Sequence, residues 1–155
     1  MGERRRVLLI MADKFTKQER SLIMSKVRAA DTTPEIKVRK LLHGMGYRFR
    51  LHRRDLPGKP DIVLPKYKTV IFVNGCFWHG CPVCRHAKIR PKENADYWNR
   101  KLDRNMRRDQ ENYMALKEKG WRVLIVWECE TKKKNIPRLG DRLKNELSPE
   151  AVSFE

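Results

Sequence analysis

The first candidates for chemistry are cysteines whose spacing suits a metal ion. Cys76, Cys81 and Cys84 lie close together, and Cys129 follows a separate apolar run. Thiolates are soft ligands, and four of them make the closed tetrahedral site in which zinc is structural. The sequence therefore predicts a zinc ion that ties the loop around residue 80 to a distant strand. Four unrelated thiols or a redox pair are the alternatives.

His79, within the same stretch, is the candidate general acid or base, because imidazole titrates near neutrality. Its alternatives are a zinc ligand and a residue that packs against the rings. His86 is also a rival zinc ligand, and if either histidine binds zinc then one cysteine is spare. Phe77 and Trp78 follow a predicted strand and an Asn-Gly turn, a position that favours exposure over core packing. Exposed rings on a basic chain suit stacking on bases or wedging between base pairs. Trp98 could join them, with a core role as its alternative.

A second set of residues could hold a hard cation. Asp61 begins a predicted strand after Pro60, and a simple hairpin places it beside Phe72 or Val73 on the returning strand. A carboxylate together with a backbone carbonyl suits Mg²⁺, which also binds waters and phosphate oxygens. Glu35 is the nearest candidate for a second acid. The alternatives are a turn residue for Asp61 and a helix-dipole role for Glu35.

Capping signals and hydrophobic periodicity predict four helices that position these residues. They cover about residues 16–27, 32–46, 95–119 and 136–147. Thr16 and Thr32 each begin a capping pattern, and Gly120 suits the end of the third helix. The buried candidates on that third helix are Trp98, Leu102, Met106 and Leu116. Residues 85–93 are predicted to be a loop.

Apolar and alternating runs predict four strands. They cover residues 47–51, 61–64, 69–73 and 121–127. The order of elements, α-α-β-β-β-α-β-α, indicates one α/β domain whose mixed central sheet is flanked by helices. We expect this domain to span 16–147, after a flexible segment at 1–15 and before a frayed tail at 148–155.

Composition indicates a polyanionic partner. The chain has 155 residues and a formal net charge of +17, from 36 Lys+Arg against 19 Asp+Glu. With four Trp and five Phe available for stacking, that excess favours nucleic acid over a membrane surface. A basic soluble protein without such a partner is the alternative.

No segment approaches the apolar length of a membrane span. The short apolar stretch at 7–12 does not suit export, so we expect a cytoplasmic protein, and Met11 is an alternative start.

Five motifs, in order along the chain, resemble those of the very short patch repair (Vsr) DNA mismatch endonucleases. They are Leu56–Val63, Val73–His79, Tyr97-Trp98, Arg108-Asp109 and Gly120–Cys129. The resemblance implies a restriction-endonuclease-like fold with a structural zinc. It also implies nicking of duplex DNA beside the thymine of a T:G mismatch, of the sort left when 5-methylcytosine deaminates. A cytosine-5 DNA methyltransferase and mismatch-repair proteins are then expected functional partners of a monomeric enzyme that acts at the bacterial nucleoid.

The resemblance assigns roles to individual residues near the predicted strand edge. Asp61 corresponds to the family's magnesium-binding aspartate, and Val73 to the position whose carbonyl helps to hold that metal. His79 matches a retained histidine and Glu35 the acid of an early helix. Asn74 stands where some members have a second histidine, so an amide capable of binding phosphate replaces an imidazole there.

The remaining roles implied by the resemblance concern zinc and the DNA wedge. Cys76, Cys84 and Cys129 match zinc ligands, and Cys81 falls where members can supply histidine. The matches to the aromatic wedge that opens DNA at the mismatch are Phe77, Trp78 and Trp98. Two other functions stay open: a non-catalytic, zinc-stabilised DNA-binding module and a related nuclease that acts on matched DNA.

Overall fold

A four-stranded mixed sheet lies at the centre of the fold. The computed structural model describes residues 14–27 and 30–152, so most of the expected flexible start and the end of the expected frayed tail lie outside the described residues. The strands are β1 (Arg50–Leu51), β2 (Ile62–Leu64), β3 (Thr69–Asn74) and β4 (Arg122–Trp127). The helices are α1 (Lys17–Ser25), α2 (Thr33–Gly44), α3 (Cys76–His79), α4 (Arg85–Lys88), α5 (Ala95–Glu118), α6 (Ile136–Glu146) and α7 (Pro149–Val152). The predicted mixed α/β domain is confirmed.

The pairing of β3 with its two neighbours sets the arrangement of the sheet. β2 and β3 form the predicted antiparallel hairpin, with Ile62 opposite Ile71. β3 and β4 run parallel, and Asn74 lies opposite Trp127 where both strands end. Parallel strands end at the same edge of a sheet. The two segments that carry the cysteines therefore begin next to each other.

Alternate residues of β3 face two separate cores, and every residue of the strand is buried. Val70 and Phe72 pack with Tyr113 and Leu116 of α5. Ile71 and Val73 face the opposite way, against apolar residues of α2 and α6. This is the two-residue period of a strand covered on both sides, which explains why the run is apolar throughout.

Both predicted helix starts are confirmed. Thr16 and Glu19 form the reciprocal capping box of α1. The Thr32 hydroxyl accepts a hydrogen bond from the Glu35 backbone N–H at the start of α2, where Pro34 occupies the first turn. The second cap matters for function, because it places the Glu35 side chain at the end of α2 that faces the sheet edge.

Several element predictions need correction. The strand predicted at 47–51 is only Arg50–Leu51, because the half-buried Tyr47 and Phe49 pack on the core instead of pairing. The loop predicted at 85–93 contains the single turn of α4. Met106 was predicted to be buried but is 37% exposed, since Tyr113 and not Met106 extends the buried face of α5.

No helix in the described part of the chain is both long enough and apolar enough to cross a bilayer. The longest of these helices, α5, is buried on one face only, through Trp98, Leu102, Tyr113 and Leu116.

Gly80, which ends α3, has φ +71°, a conformation that L side chains rarely adopt. We expect Gly80→Ala to lower the free energy of unfolding by roughly 1–2 kcal/mol. The added Cβ would also approach the Met106 sulfur to 2.8 Å, but that flexible side chain can move.

Gly44→Ala is the matched control for this prediction, because an added Cβ there meets nothing within 4 Å. Its free energy of unfolding should equal that of the parent or exceed it by up to about 1 kcal/mol, because alanine favours a helix over glycine. Urea unfolding of the three proteins measures both values. An equal loss in the two variants would contradict the conformational explanation.

Candidate active site and thiol cluster

An open cavity of about 930 Å³ lies at the edge of the sheet where β3 ends. Its wall is built from β3, α3, α5, the start of α2 and the segment 52–61 that leads into β2. The structure brings together the five residues predicted for catalysis and magnesium binding and adds a sixth: Glu35, Asp61, Val73, Asn74, His79 and Asp109. Arg54, Lys59, Lys101 and Arg108 also line the cavity and make it suitable for a polyanion.

Asp61 is held against the backbone of β3, as the hairpin register predicts. The Val73 N–H donates a hydrogen bond of 2.7 Å to Asp61 Oδ2. The pKa of Asp61 is raised from its ordinary 3.8 to about 7, mainly by burial and also by the negative charge of Glu35, against the lowering effect of the Val73 hydrogen bond. A cation beside the carboxylate would relieve both unfavourable effects. Hard oxygen ligands of this kind fit Mg²⁺.

Glu35 is almost fully buried and is fixed by several donors. Arg39 Nη2 donates to Glu35 Oε2 at 3.0 Å, and the Asp31 N–H donates to the same oxygen at 3.0 Å. Arg39 also lies 2.8 Å from Asp31 and 2.9 Å from His52 Nε2. Glu35, Asp31 and His52 form a cluster with metal-ligand side chains, but the Arg39 guanidinium is bound among them. Arg39 therefore acts as the counter-ion of a buried carboxylate.

His79 forms a dyad with Asp109 that the sequence did not predict. His79 Nδ1 lies 2.5 Å from Asp109 Oδ2, across the gap between α3 and α5. A carboxylate on Nδ1 fixes the tautomer with Nε2 unprotonated, so Nε2 can accept a proton. Arg108-Asp109 was noticed as a motif without a role. The distance of Asp109 from His79 along the chain left no local signal of the pairing.

Asn74 is also fixed by α5. Its Nδ2 donates to the Tyr113 hydroxyl at 2.8 Å, in a pair that is buried. Tyr113 lies one helical turn after Asp109, so it occupies the same face of α5. Sequence reasoning missed Tyr113, because a tyrosine in a helix is more often a core residue than a partner of a site residue.

Three of the four cysteines form a tight cluster behind this cavity. The ligand atoms of Cys76, Cys81 and Cys129 lie within 4.8 Å of one another, and Cys81 Sγ is 3.9 Å from Cys129 Sγ. Tetrahedral zinc thiolates have sulfurs roughly 3.8 Å apart. Burial raises the pKa of Cys129 to about 11, with the neighbouring thiols adding to the effect, and raises the pKa of Cys76 too. A cation would relieve this, so the cluster fits zinc.

The predicted fourth thiol stands outside the three-cysteine cluster. Cys84 Sγ lies 3.3 Å from His86 Nδ1, at the exposed start of α4. His79 is bound to Asp109 instead of the thiols. The structure thus leaves Cys84 and His86 as the nearby candidates for a fourth ligand.

The exposure predicted for Phe77 is wrong. Phe77 is 4% exposed, Trp98 is fully buried, and Trp78 is half-buried. The residues after Asn74 form a one-turn helix and not an open turn, and the rings pack on α5 with Ile23 and Met24 of α1 over them. Trp78 has one unsatisfied polar group: its indole N–H is enclosed and has no hydrogen-bond partner among the described residues.

Comparisons with known proteins agree with the motifs. Residues 12–85 match the family model of the DNA mismatch endonuclease Vsr. The chain is 49% identical over 139 residues to the Type II nicking enzyme V.XorIIP of Xanthomonas oryzae pv. oryzae, covering 90% of this chain and 99% of that protein. It is 47% identical over 128 residues to the Type II nicking enzyme V.NmeAIP of Neisseria meningitidis, with 83% and 90% covered. It is 43% identical over 119 residues to the DNA mismatch endonuclease Vsr of Escherichia coli, with 77% and 75% covered.

The raised pKa of Asp61 predicts that Asp61→Asn stabilises the metal-free protein at about pH 8 but not at about pH 4. The folded state keeps a proton that the unfolded chain releases, so stability present below the ordinary pKa is lost as the pH rises to about 7. The difference between 3.8 and about 7 limits the gain to roughly 4 kcal/mol. Thermal unfolding in EDTA across this range measures it.

Asp103→Asn is the control for the Asp61 prediction, because Asp103 is an exposed carboxylate on α5. It should unfold like the parent at both pH values. A gain from Asp61→Asn that is the same at about pH 4 and about pH 8 would show that the charge of Asp61 is not its cause.

Proposed function

This chain belongs to the family of the DNA mismatch endonuclease Vsr, whose members are endonucleases, and on that premise we propose that it is an Mg²⁺-dependent enzyme of mismatch repair. In this proposal it nicks one strand of duplex DNA beside the thymine of a T:G mismatch. The observation that carries the proposal is the meeting of a His-Asp dyad with the buried carboxylate of Glu35 and the half-buried carboxylate of Asp61 in one basic cavity.

The dyad supplies the proton acceptor of the proposed reaction. Asp109 holds Nδ1 of His79, which leaves Nε2 to take a proton from the attacking water, directly or through a second water. Asp109 also stabilises the imidazolium that this transfer creates. The half-buried position of His79 keeps it in contact with the cavity while α5 fixes its ring.

Asp61 would hold the catalytic metal, with Glu35 as a nearby acid and the Val73 backbone beside it. When bound, Mg²⁺ supplies stabilisation of the charge that develops on the phosphate. The chain prepares for this by keeping one Asp61 oxygen on the Val73 N–H and by holding Glu35 with Arg39. Neither carboxylate then has to reorganise when a cation and a phosphate arrive. The basic residues of the cavity attract the DNA backbone.

Zinc in the cluster of Cys76, Cys81 and Cys129 would be structural. We assign its fourth position to Cys84, the predicted ligand, which is close enough to the cluster to raise the pKa of Cys129. His86 is its rival. Such an ion would join α3, which carries His79, to the segment after β4. Its chemistry is that of a fixed cross-link, because a closed thiolate site has no open position for water.

Selectivity for a mismatch would come from the rings of Phe77, Trp78 and Trp98. A mispaired step is easier to unstack than a matched one, so an aromatic wedge favours it. In the DNA-free protein, Ile23 and Met24 pack on these rings, and their contact must be given up before the rings enter DNA. Trp78 gains most from that change, because its unpaired indole N–H can find a partner.

The substrate also indicates the reaction that precedes this one. A T:G mismatch arises when 5-methylcytosine loses its amine, so a cytosine-5 DNA methyltransferase creates the need for this activity. Mismatch-repair proteins would act on the nicked product. We propose that the chain acts as a monomer, because all six residues assembled at the cavity come from this one chain.

The decisive test uses end-labelled T:G, T:A and C:G duplexes with Mg²⁺ or EDTA, each strand followed separately. The parent should nick only the thymine strand of the T:G duplex, and only with Mg²⁺. Asp61→Ala and Asp109→Asn should each slow nicking by about 10²–10⁴-fold, through loss of the metal ligand and of the imidazole tautomer respectively.

The other outcomes of this assay identify the alternatives. Mismatch binding without cleavage in any condition would indicate a DNA-binding module, and equal cleavage of the T:A duplex would indicate a nuclease for matched DNA. An Asp61→Ala protein that nicks at the parental rate would contradict the proposed mechanism. Gel-shift binding of each variant separates loss of chemistry from loss of DNA affinity.

The zinc assignment predicts about one equivalent of zinc in the purified protein and loss of folded structure on chelation. Cys129→Ser should bind zinc less tightly and unfold at a lower temperature. Elemental analysis and thermal unfolding measure these effects. Cys84→Ser and His86→Ala then identify the fourth ligand, and a fully folded protein with less than about half an equivalent would count against zinc.

A further inference from the structure

We propose that Tyr113 is a positioning residue for the nicking reaction: its hydroxyl holds the amide nitrogen of Asn74, so that the Asn74 carbonyl oxygen is presented to the cavity beside Asp61. This inference rests on the proposed function, because it explains how the side chain of one residue of the same site is oriented. It changes the role expected for Asn74 from a contact to phosphate to an acceptor for water.

The strand register fixes which way Asn74 points. Asn74 is the last residue of β3 and lies two positions after Phe72, so both side chains face α5. Phe72 packs against the Tyr113 ring with centroids 5.0 Å apart. This ring contact places the Tyr113 hydroxyl two residues further along the strand, beside Asn74. The pair is therefore built by packing, and both residues are buried.

The hydrogen bond decides which end of the Asn74 amide is free. Nδ2 donates to the Tyr113 hydroxyl at 2.8 Å, and Tyr113 is not part of the cavity wall while Asn74 is. No group among the described residues hydrogen-bonds Asn74 Oδ1. The amide nitrogen is therefore occupied by a hydrogen bond outside the cavity, and the amide oxygen is free to accept a hydrogen bond inside it.

The chemistry of that oxygen selects its ligand. A carbonyl oxygen repels the oxygens of a phosphate but accepts a hydrogen bond from water. With Asp61 and Glu35 nearby, it adds an uncharged oxygen acceptor to a cavity that must hold and orient water. An amide does not titrate, so Asn74 orients a water without exchanging a proton with it, and proton transfer is left to His79.

Helix α5 supplies both partners at this edge. Asp109 fixes His79 and Tyr113 fixes Asn74, and the two partners are one helical turn apart. The pKa of Tyr113 is raised to about 12, mainly by burial and also by the charges of Asp109 and Asp61, against the lowering effect of the Asn74 hydrogen bond, so the hydroxyl stays protonated. A neutral hydroxyl can accept from Asn74 and still keep its own O–H, which makes it a stable anchor across the working pH range.

The test is a double-mutant cycle on single-turnover nicking of the T:G duplex. Tyr113→Phe keeps the ring and removes only the hydroxyl, and should slow nicking about tenfold with duplex affinity within about twofold of the parent. Asn74→Ala should slow nicking at least as much. The double variant should be no slower than Asn74→Ala, because the hydroxyl acts only through Asn74.

A second readout needs neither metal nor DNA. In the ¹H–¹⁵N spectrum, the side-chain NH₂ pair that disappears in Asn74→Ala identifies Asn74. In the parent this pair should exchange slowly with water, and in Tyr113→Phe it should shift and exchange faster. Tyr67→Phe is the matched control, since Tyr67 lies in the turn between β2 and β3, at the opposite end of the hairpin from the cavity.

The outcomes separate this inference from the proposed function. If the parent fails to nick the T:G duplex, the proposed function is wrong, and the spectrum still decides whether Tyr113 holds Asn74. If the parent nicks and Tyr113→Phe nicks equally fast, the inference is overturned. Effects of Tyr113→Phe and Asn74→Ala that multiply in the double variant would overturn it as well.

Discussion

The parallel pairing of β3 with β4 is the constraint on which the site depends. Every residue of β3 is buried, so the strand cannot slip by one position without exchanging its two faces. The register that puts Asn74 opposite Trp127 also brings α3 next to the segment containing Cys129. His79 and Cys76 both lie on α3. A slip of β3 would therefore separate the thiols and move the proton acceptor away from Asp109 at the same time.

The cavity is electrostatically costly in the absence of a cation. Two acids, Glu35 and Asp61, are withdrawn from water, and their negative charges repel each other. Arg39 compensates Glu35 directly, whereas Asp61 has the Val73 N–H and the weaker influence of His52 and His79. Because Asp61 is compensated less than Glu35, a metal ion bound at Asp61 would lower the electrostatic free energy of the site most. Stability is given up at the place where a ligand is to bind, as is common at functional sites.

The parts of the structure that depend on local sequence could be predicted, and those that depend on helix rotation could not. The Thr16 and Thr32 caps and the position of Asp61 beside Val73 follow from short-range patterns. The partners on α5 do not, because its long polar sequence leaves open which face meets α3. The burial of Phe77 was missed for a related reason: it depends on α1 and α5, which are distant in sequence.

The placement of the rings and the proton acceptor on one short helix has a mechanical consequence. Phe77, Trp78 and His79 are consecutive in α3, and a single helical turn is too short to bend internally. In the proposed function, rings that enter the opened base step carry His79 with them to the neighbouring phosphate. In the same proposal, zinc at the thiol cluster would fix the start of α3 while Asp109 fixes its end. The distance between the opened step and the nicked bond would then be set by α3 itself, and mismatch recognition and choice of bond would follow from one rigid unit.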